Sequence, residues 1–188
     1  SEHDKLPNNL SVKEILIRSS NIGSVLIAQK IGEESYKNFL KDLKLLETPE
    51  FELEEVGTPI NFRWDKCKLE TVSYGHGITT TPLQAASAYA AISNGGNFIQ
   101  PTLHFNKLKQ SNIKKIVSNQ TSSQLNKILR EVVTNENGTA SLADVFGFQV
   151  GGKTGTAKKN FYGEYSDKKL NTFISLFPMD NPKHVLLV

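Results

Sequence analysis

The chain has 188 residues, of which 38% are hydrophobic and 22% charged, a composition typical of one folded domain or of part of one. The net charge of +3 is small, and only three of the 22 basic residues are arginines, which disfavours nucleic-acid binding. The single cysteine, Cys67, excludes an intrachain disulfide, and no two of the four histidines have zinc-ligand spacing, so we expect no metal and no cofactor. No apolar run approaches the roughly 18 residues of a membrane span.

The first 50 residues predict three helices. Ser11 and Glu14 form a capping-box pattern at the start of a helix over 12–18. A second helical pattern covers 22–31 and ends at a glycine, and a third covers 33–46 and ends before a proline. Residues 51–69 have neither helical nor strand periodicity, so we expect a loop region there with a short strand at most.

Two further helices are predicted from their capping residues. Thr81 as N-cap and Pro82 at the first helical position open an alanine-rich helix over 83–92, which the sequence Asn-Gly-Gly stops. A second capping-box pattern, from Thr121 to Gln124, opens a helix that Gly138 ends.

The rest of the chain is rich in strand-forming residues. The three C-terminal runs are close in sequence and suit an antiparallel meander. Predicted strands cover 98–103, 114–118, 146–153, 172–177 and 184–188. We therefore predict a mixed α+β fold with helices packed on an antiparallel sheet. The last run reaches the final residue, which leads us to expect a fragment of a larger domain.

Residues 147–154 read GFQVGGKT and match the phosphate-binding loop pattern G-x-x-x-x-G-K-[ST]. That loop requires a buried strand before its first glycine and a helix that starts at the lysine. The sequence around Lys153 predicts neither element. Residues 140–144, before the motif, would make a poor buried strand, and Gly155 and Gly163, after it, disfavour a helix. We interpret the match as chance.

Two short polar motifs have more chemical interest when they are taken together. In Lys153-Thr154-Gly155-Thr156, a strand would place the lysine and the glycine on one face and the two threonines on the other. Ser19 and Asn21 lie between two predicted helices and converge only if the chain turns there. Each motif alone is compatible with an ordinary turn or helix cap.

The S-x-N and K-T-G motifs, in this order, resemble two of the three motifs of the penicillin-recognising serine acyltransferases. The intervening segments YGHGITTTPLQ, AYAAISNGG and NGTA, and then VGGKTGTA, resemble class B penicillin-binding proteins over nearly the whole chain. Within that family, IRSSNIG and SYGHG are most similar to the division-specific, septal members; the elongation type is the near alternative.

The resemblance implies a transpeptidase fold of the penicillin-binding and serine β-lactamase type, incomplete in residues 1–188. It also implies a D,D-transpeptidase that cross-links peptidoglycan stem peptides ending in D-Ala-D-Ala, through a serine acyl-enzyme that β-lactams trap. Ser19 would belong to the proton-relay network, Asn21 would bind the substrate amide, and Lys153 would favour proton transfer by its charge. Thr154 and Thr156 would bind the substrate carboxylate, the Thr156 N–H would supply half of the oxyanion hole, and Gly155 would keep the strand open.

The family's nucleophilic S-x-x-K motif is expected upstream of Ser19. The two formal matches, 111–114 and 166–169, follow the S-x-N motif and do not suit a helix start. We therefore expect this chain to be the C-terminal part of a transpeptidase domain and to be inactive alone. The membrane anchor and the nucleophile would lie outside it, and the protein would act on the periplasmic or extracytoplasmic face of the membrane, with cell-division proteins as possible partners.

Three alternatives remain open at this point. The chain could come from a non-catalytic, penicillin-binding-like scaffold of the division machinery, which the absent nucleophile would fit. It could be a phosphate-loop nucleotidase, in which magnesium-dependent ATP binding would require Lys153. It could also be a serine β-lactamase or a β-lactam sensor, which the segment before residue 84 disfavours.

Overall fold

A computed structural model describes residues 7, 9–53, 64–65, 67–105, 113–161 and 164–188. Helices α1 (Val12–Arg18), α2 (Asn21–Ile31) and α3 (Glu33–Asp42) follow one another closely. The predicted capping box at the start of α1 is confirmed, since the Ser11 hydroxyl accepts from the Glu14 N–H and the Glu14 carboxylate accepts from the Ser11 N–H.

Helix α3 ends four residues earlier than the sequence predicts. Lys44 adopts a left-handed conformation, with φ of 59°, and the Leu45 N–H donates to the Leu40 carbonyl at 3.1 Å. This reversal turns Leu43 and Leu45 towards a core cluster that also contains Phe98. Burial of these side chains therefore outweighs the helical pattern of the sequence.

The prediction for 51–69 is wrong at its end, because helix α4 (Lys68–Ser73) begins there. Residues 54–63 lie outside the described part of the chain. Helix α5 (Pro82–Ser93) is confirmed, with Thr81 as N-cap in a complete capping box. Helix α5 packs against the short strand β1 (Asn97–Ile99), which pairs antiparallel with β2 (Ile113–Lys115).

Helix α6 (Asn119–Thr134) begins two residues before the predicted N-cap. Its cap is Ser118, whose hydroxyl accepts from the Thr121 N–H at 3.0 Å. The predicted cap therefore lies inside the first turn. Ser122, in the same turn, is buried and accepts from the Gly95 N–H at 3.0 Å, so a contact with the loop after α5 fixes this end of the helix.

Strands β3 (Gly151–Phe161), β4 (Glu164–Phe177) and β5 (His184–Leu187) form an antiparallel sheet in the order β3-β4-β5. The predicted meander is confirmed, although β3 starts five residues later than predicted and continues past Lys153. Position 166, the start of one formal S-x-x-K match, lies in β4 and not at a helix start. In the register, Gly151 faces Leu176 and Lys153 faces Ile174.

The core joins the helices to this sheet. Val132 and Val133 of α6 are almost completely buried together with Ile17 of α1, and Leu129 packs on Leu176 of β4. The mixed α+β class is therefore confirmed. Among the described residues, no helix is long and apolar enough to cross a membrane.

Candidate active site

The chain reverses direction at Ser19, between α1 and α2. Ser19 has φ of 56° and ψ of 47°, a left-handed conformation that ends α1. Ser20 is the N-cap of α2, and its hydroxyl accepts from the Gly23 N–H at 3.2 Å. Asn21 is then the first residue of α2. This turn lets Ser19 and Asn21 face the same cavity, which a continuous helix would not allow.

Lys153 on β3 reaches this turn across 134 positions of sequence. Its Nζ donates to the Ser19 Oγ at 2.6 Å and to the Thr154 carbonyl oxygen at 3.2 Å. Burial lowers the pKa of Lys153 to about 8, because removal from water destabilises the ammonium. The amine is therefore mostly charged at neutral pH and is easier to deprotonate than an ordinary lysine.

Thr154 contacts a second loop. Its Oγ1 lies 2.7 Å from the Thr139 Oγ1, and either hydroxyl can donate. Thr139 follows the end of α6, next to Ala140, which belongs to the buried core. Gly155 and Thr156 are exposed on β3, beyond Thr154. This strand therefore presents two threonine hydroxyls and an uncovered glycine beside the Lys153–Ser19 contact.

A cavity of about 320 Å³ lies between α1, α2, α6 and β3. Four of the predicted site residues border it: Ser19, Asn21, Lys153 and Thr154. The lining also includes six apolar side chains: Leu16, Ile92, Leu125, Ile128, Leu129 and Val132. Tyr74 and Tyr89 also line the cavity, and burial raises the pKa of Tyr89 to about 12. A lining that combines apolar side chains with a few polar groups is typical of a small-molecule site.

Thr139 lies in the NGTA segment, but the sequence of that segment indicates no role for its hydroxyl. Only the fold shows that this hydroxyl meets Thr154. The phosphate-loop interpretation fails on geometry, because Lys153 is the third residue of a strand in an antiparallel sheet, not the start of a helix. Within the described ranges, no group of His, Cys, Asp and Glu side chains could hold a metal ion.

The family described as "Penicillin binding protein transpeptidase domain" matches residues 1–188. The chain belongs to this family. A relative from Caulobacter vibrioides, named probable peptidoglycan D,D-transpeptidase FtsI, is 34% identical in an alignment 181 residues long that covers 92% of this chain and 30% of that protein. The resemblance that the sequence motifs indicated is thereby confirmed.

Solved structures of penicillin-binding proteins have the same fold. The transpeptidase domain of penicillin-binding protein 3 from Burkholderia pseudomallei superimposes with a TM-score of 0.86, is 29% identical, and is matched over 95% of this chain and 55% of that one. Penicillin-binding protein 3 from Mycobacterium tuberculosis, solved with ampicillin, gives a TM-score of 0.84 and 26% identity, over 94% and 44%. The chain spans about a third of the length of the curated relatives it matches.

Proposed function

We propose that the whole protein is a peptidoglycan D,D-transpeptidase of the division type, and that residues 1–188 are part of its transpeptidase domain. The observation that carries the proposal is the 2.6 Å contact between Lys153 and Ser19, at the edge of a cavity in a chain of the penicillin-binding family. The substrate is a stem peptide ending in D-Ala-D-Ala, and β-lactams bind as its mimics. The site lies on the extracytoplasmic side of the cell membrane, with division proteins as partners.

Each polar group at the cavity edge has a role in this proposal. Ser19 relays protons between the reacting groups, and the Lys153 ammonium stabilises the negative charge that develops on the oxygens near it. Asn21 holds the amide of the substrate. Thr154 and Thr156 bind its terminal carboxylate, and Gly155 leaves room for the peptide to lie along β3.

The charge of Lys153 gives the reaction a pH dependence. With a pKa of about 8, the ammonium is present below that value and is lost as the pH rises through it. We therefore expect the acylation rate to fall above about pH 8 as Lys153 loses its proton. A lysine with its ordinary pKa of about 10.4 would lose its proton only at a higher pH.

The nucleophile, in this proposal, is not supplied by the 188 residues. One formal S-x-x-K match covers positions 166–169 in strand β4, whereas the chemistry requires serine and lysine one helical turn apart on the same face. The other match ends at Lys114 in strand β2, and its serine lies outside the described residues. We infer that the nucleophilic serine belongs to a separate segment of the whole protein.

Intact mass after incubation with benzylpenicillin tests the proposal. We expect a stoichiometric adduct on the whole protein and none on the 188-residue chain. A whole protein that stays unmodified would favour the scaffold alternative. An adduct on the short chain would place the nucleophile within it and would make Ser166, Ser111 and Ser19 the residues to replace. A rapidly released adduct would favour a β-lactamase or a β-lactam sensor.

Thr139 gives a prediction that the sequence motifs alone do not. Because its hydroxyl lies 2.7 Å from the Thr154 hydroxyl, Thr139→Val should leave the hydroxyl proposed to bind the carboxylate without this partner. We expect about a fivefold to tenfold lower acylation rate of the whole protein by a fluorescent penicillin, which corresponds to the roughly 1 kcal/mol of one hydrogen bond.

The matched control is Thr134→Val. Thr134 is exposed, and its hydroxyl bonds only the Arg130 carbonyl of its own helix among the contacts described. We expect acylation within twofold of the wild-type rate. Equal rates for both variants and the wild type would exclude a role for Thr139 in orienting Thr154.

A further inference from the structure

The start of strand β3, just before the Lys153 motif, is held by two contacts from outside the sheet. The β3–β4 ladder begins at the pair Gly151–Leu176, so the two preceding carbonyls are not part of it. The Gln149 carbonyl accepts from the Met179 N–H at 2.9 Å. The Val150 carbonyl accepts from the Arg130 Nη1 at 2.6 Å. A guanidinium and a backbone amide thus fix successive residues at the entry to β3.

Arg130 lies on α6 and has a second contact. Its Nη2 donates to the Asp144 Oδ1 at 2.9 Å, with 30% of the arginine side chain and 47% of the aspartate side chain exposed. Such partly exposed ion pairs contribute little by themselves. The contact with the Val150 carbonyl is charge-assisted and part-buried. It therefore constrains the position of the start of β3 more strongly than the Arg130–Asp144 ion pair does.

The same face of β3 carries Gly151, Lys153 and Gly155, because side chains alternate along a strand. At Gly151, β3 lies close to α6. A Cβ at this position would lie 3.0 Å from the Arg130 backbone nitrogen and 2.7 Å from the Met179 side chain. Lys153 therefore lies two residues from the close contact between Gly151 and α6, and it is on the same face of β3 as Gly151.

We propose that Arg130 is a positioning residue, which holds the start of β3 against α6 and thereby sets the distance between Lys153 and Ser19. The inference rests on the proposed function, since its consequence is catalytic. Val150 lies about 10 Å along the strand from Lys153, so Arg130 touches neither substrate nor reacting atoms. A displacement of about 1 Å at the site is enough to cost up to about 100-fold in rate.

The test measures acylation of the whole protein by a fluorescent penicillin as a function of pH. For Arg130→Gln we expect about a tenfold lower rate. We also expect the decline at high pH to move upwards, because a looser β3 leaves Lys153 less buried and raises its pKa. The other titratable side chains on the cavity wall are Tyr74 and Tyr89. A variant that only weakened the fold would lower the rate without moving this decline.

Three matched variants complete the design. Arg130→Lys keeps a cation that can reach the Val150 carbonyl, and we expect about a threefold loss. Asp144→Asn removes the ion pair but leaves the carbonyl contact, and Lys127→Gln changes an exposed cation one turn away on α6; for both we expect rates within twofold of the wild type. If Arg130→Gln does not fold, Arg130→Lys replaces it in the test, with a smaller loss of rate and the same upward shift of the decline at high pH.

The outcomes separate the two proposals. A wild-type protein that penicillin does not acylate would overturn the proposed function and this inference with it. A reactive wild type with an equally reactive Arg130→Gln variant would overturn the inference alone. A slower Arg130→Gln variant whose pH profile does not move, or a loss of the same size in Asp144→Asn, would assign Arg130 to stability and not to positioning.

Discussion

Replacing Lys153 with methionine is expected to lower acylation of the whole protein by penicillin about 100-fold to 1,000-fold. Methionine keeps the length and the apolar stem of lysine, but it removes the charge that contacts the Ser19 hydroxyl at 2.6 Å. Losses of this size are typical when a group that assists proton transfer is removed. The measurement is the second-order rate constant for a fluorescent penicillin at pH 7.

The same variant should not be less stable than the wild type. The pKa of Lys153 is lowered to about 8 in the folded chain and has its ordinary value of about 10.4 when unfolded, so the unfolded state binds more protons between these values. The stability of the wild type therefore rises with pH across that window. Lys153→Met should remove this rise and should unfold at an equal or higher temperature at pH 7.

Lys169→Met is the control, because it removes an exposed lysine from β4 and also disrupts the formal S-x-x-K match at 166–169. We expect a rate within twofold of the wild type. If Lys169→Met lost most of its acylation rate while Lys153→Met stayed reactive, the role in proton transfer would belong to Lys169 and not to Lys153. A loss of folding in Lys153→Met would instead make its charge a structural requirement.

The sequence predicts a structural feature well when the residues that determine it are close together along the chain. The caps at Ser11 and Thr81 were predicted correctly, because an N-cap and its partner are three residues apart and interact within one turn. Helix α4 was missed because six residues are too few to show a helical period. At α6, Ser118 and Thr121 can both cap a helix, and the contact between Ser122 and Gly95 accompanies the earlier start.

In the candidate site, residues that belong to sequence motifs could be predicted, whereas contacts that depend on the fold could not. Motif resemblance brought together Ser19 and Lys153, which are 134 positions apart, because both belong to patterns of a known family. The NGTA pattern included Thr139 without indicating its contact with Thr154, and no pattern pointed to Arg130. Thr139 contacts Thr154 through a hydroxyl on a neighbouring loop, and Arg130 reaches the Val150 carbonyl with a long side chain. Contacts of this kind depend on the packing of α6 against β3, and any residue at position 150 supplies the carbonyl.

Gly152→Ala is expected to destabilise the protein by about 3 kcal/mol, at the upper end of the usual cost of overpacking. A Cβ at Gly152 would lie 2.2 Å from the Ile174 carbonyl oxygen and 2.9 Å from the Phe173 ring. The carbonyl is backbone in the paired strand β4, so it can move only if the pairing next to Lys153 opens. The variant should therefore lose both unfolding temperature and penicillin acylation.

Gly155→Ala provides the comparison within the same strand. Its Cβ would meet a single atom, the Thr172 Oγ1 at 2.6 Å, which a rotation of that side chain can remove. We expect a loss of stability below about 1 kcal/mol for this variant. Because Gly155 is exposed beside Thr154 and Thr156, acylation should fall more than stability does. Chemical denaturation and acylation measured on both variants test whether glycine has two functions in this strand, with Gly152 allowing β3 and β4 to pair and Gly155 leaving space for the proposed ligand. Equal stability losses in both variants would contradict this assignment.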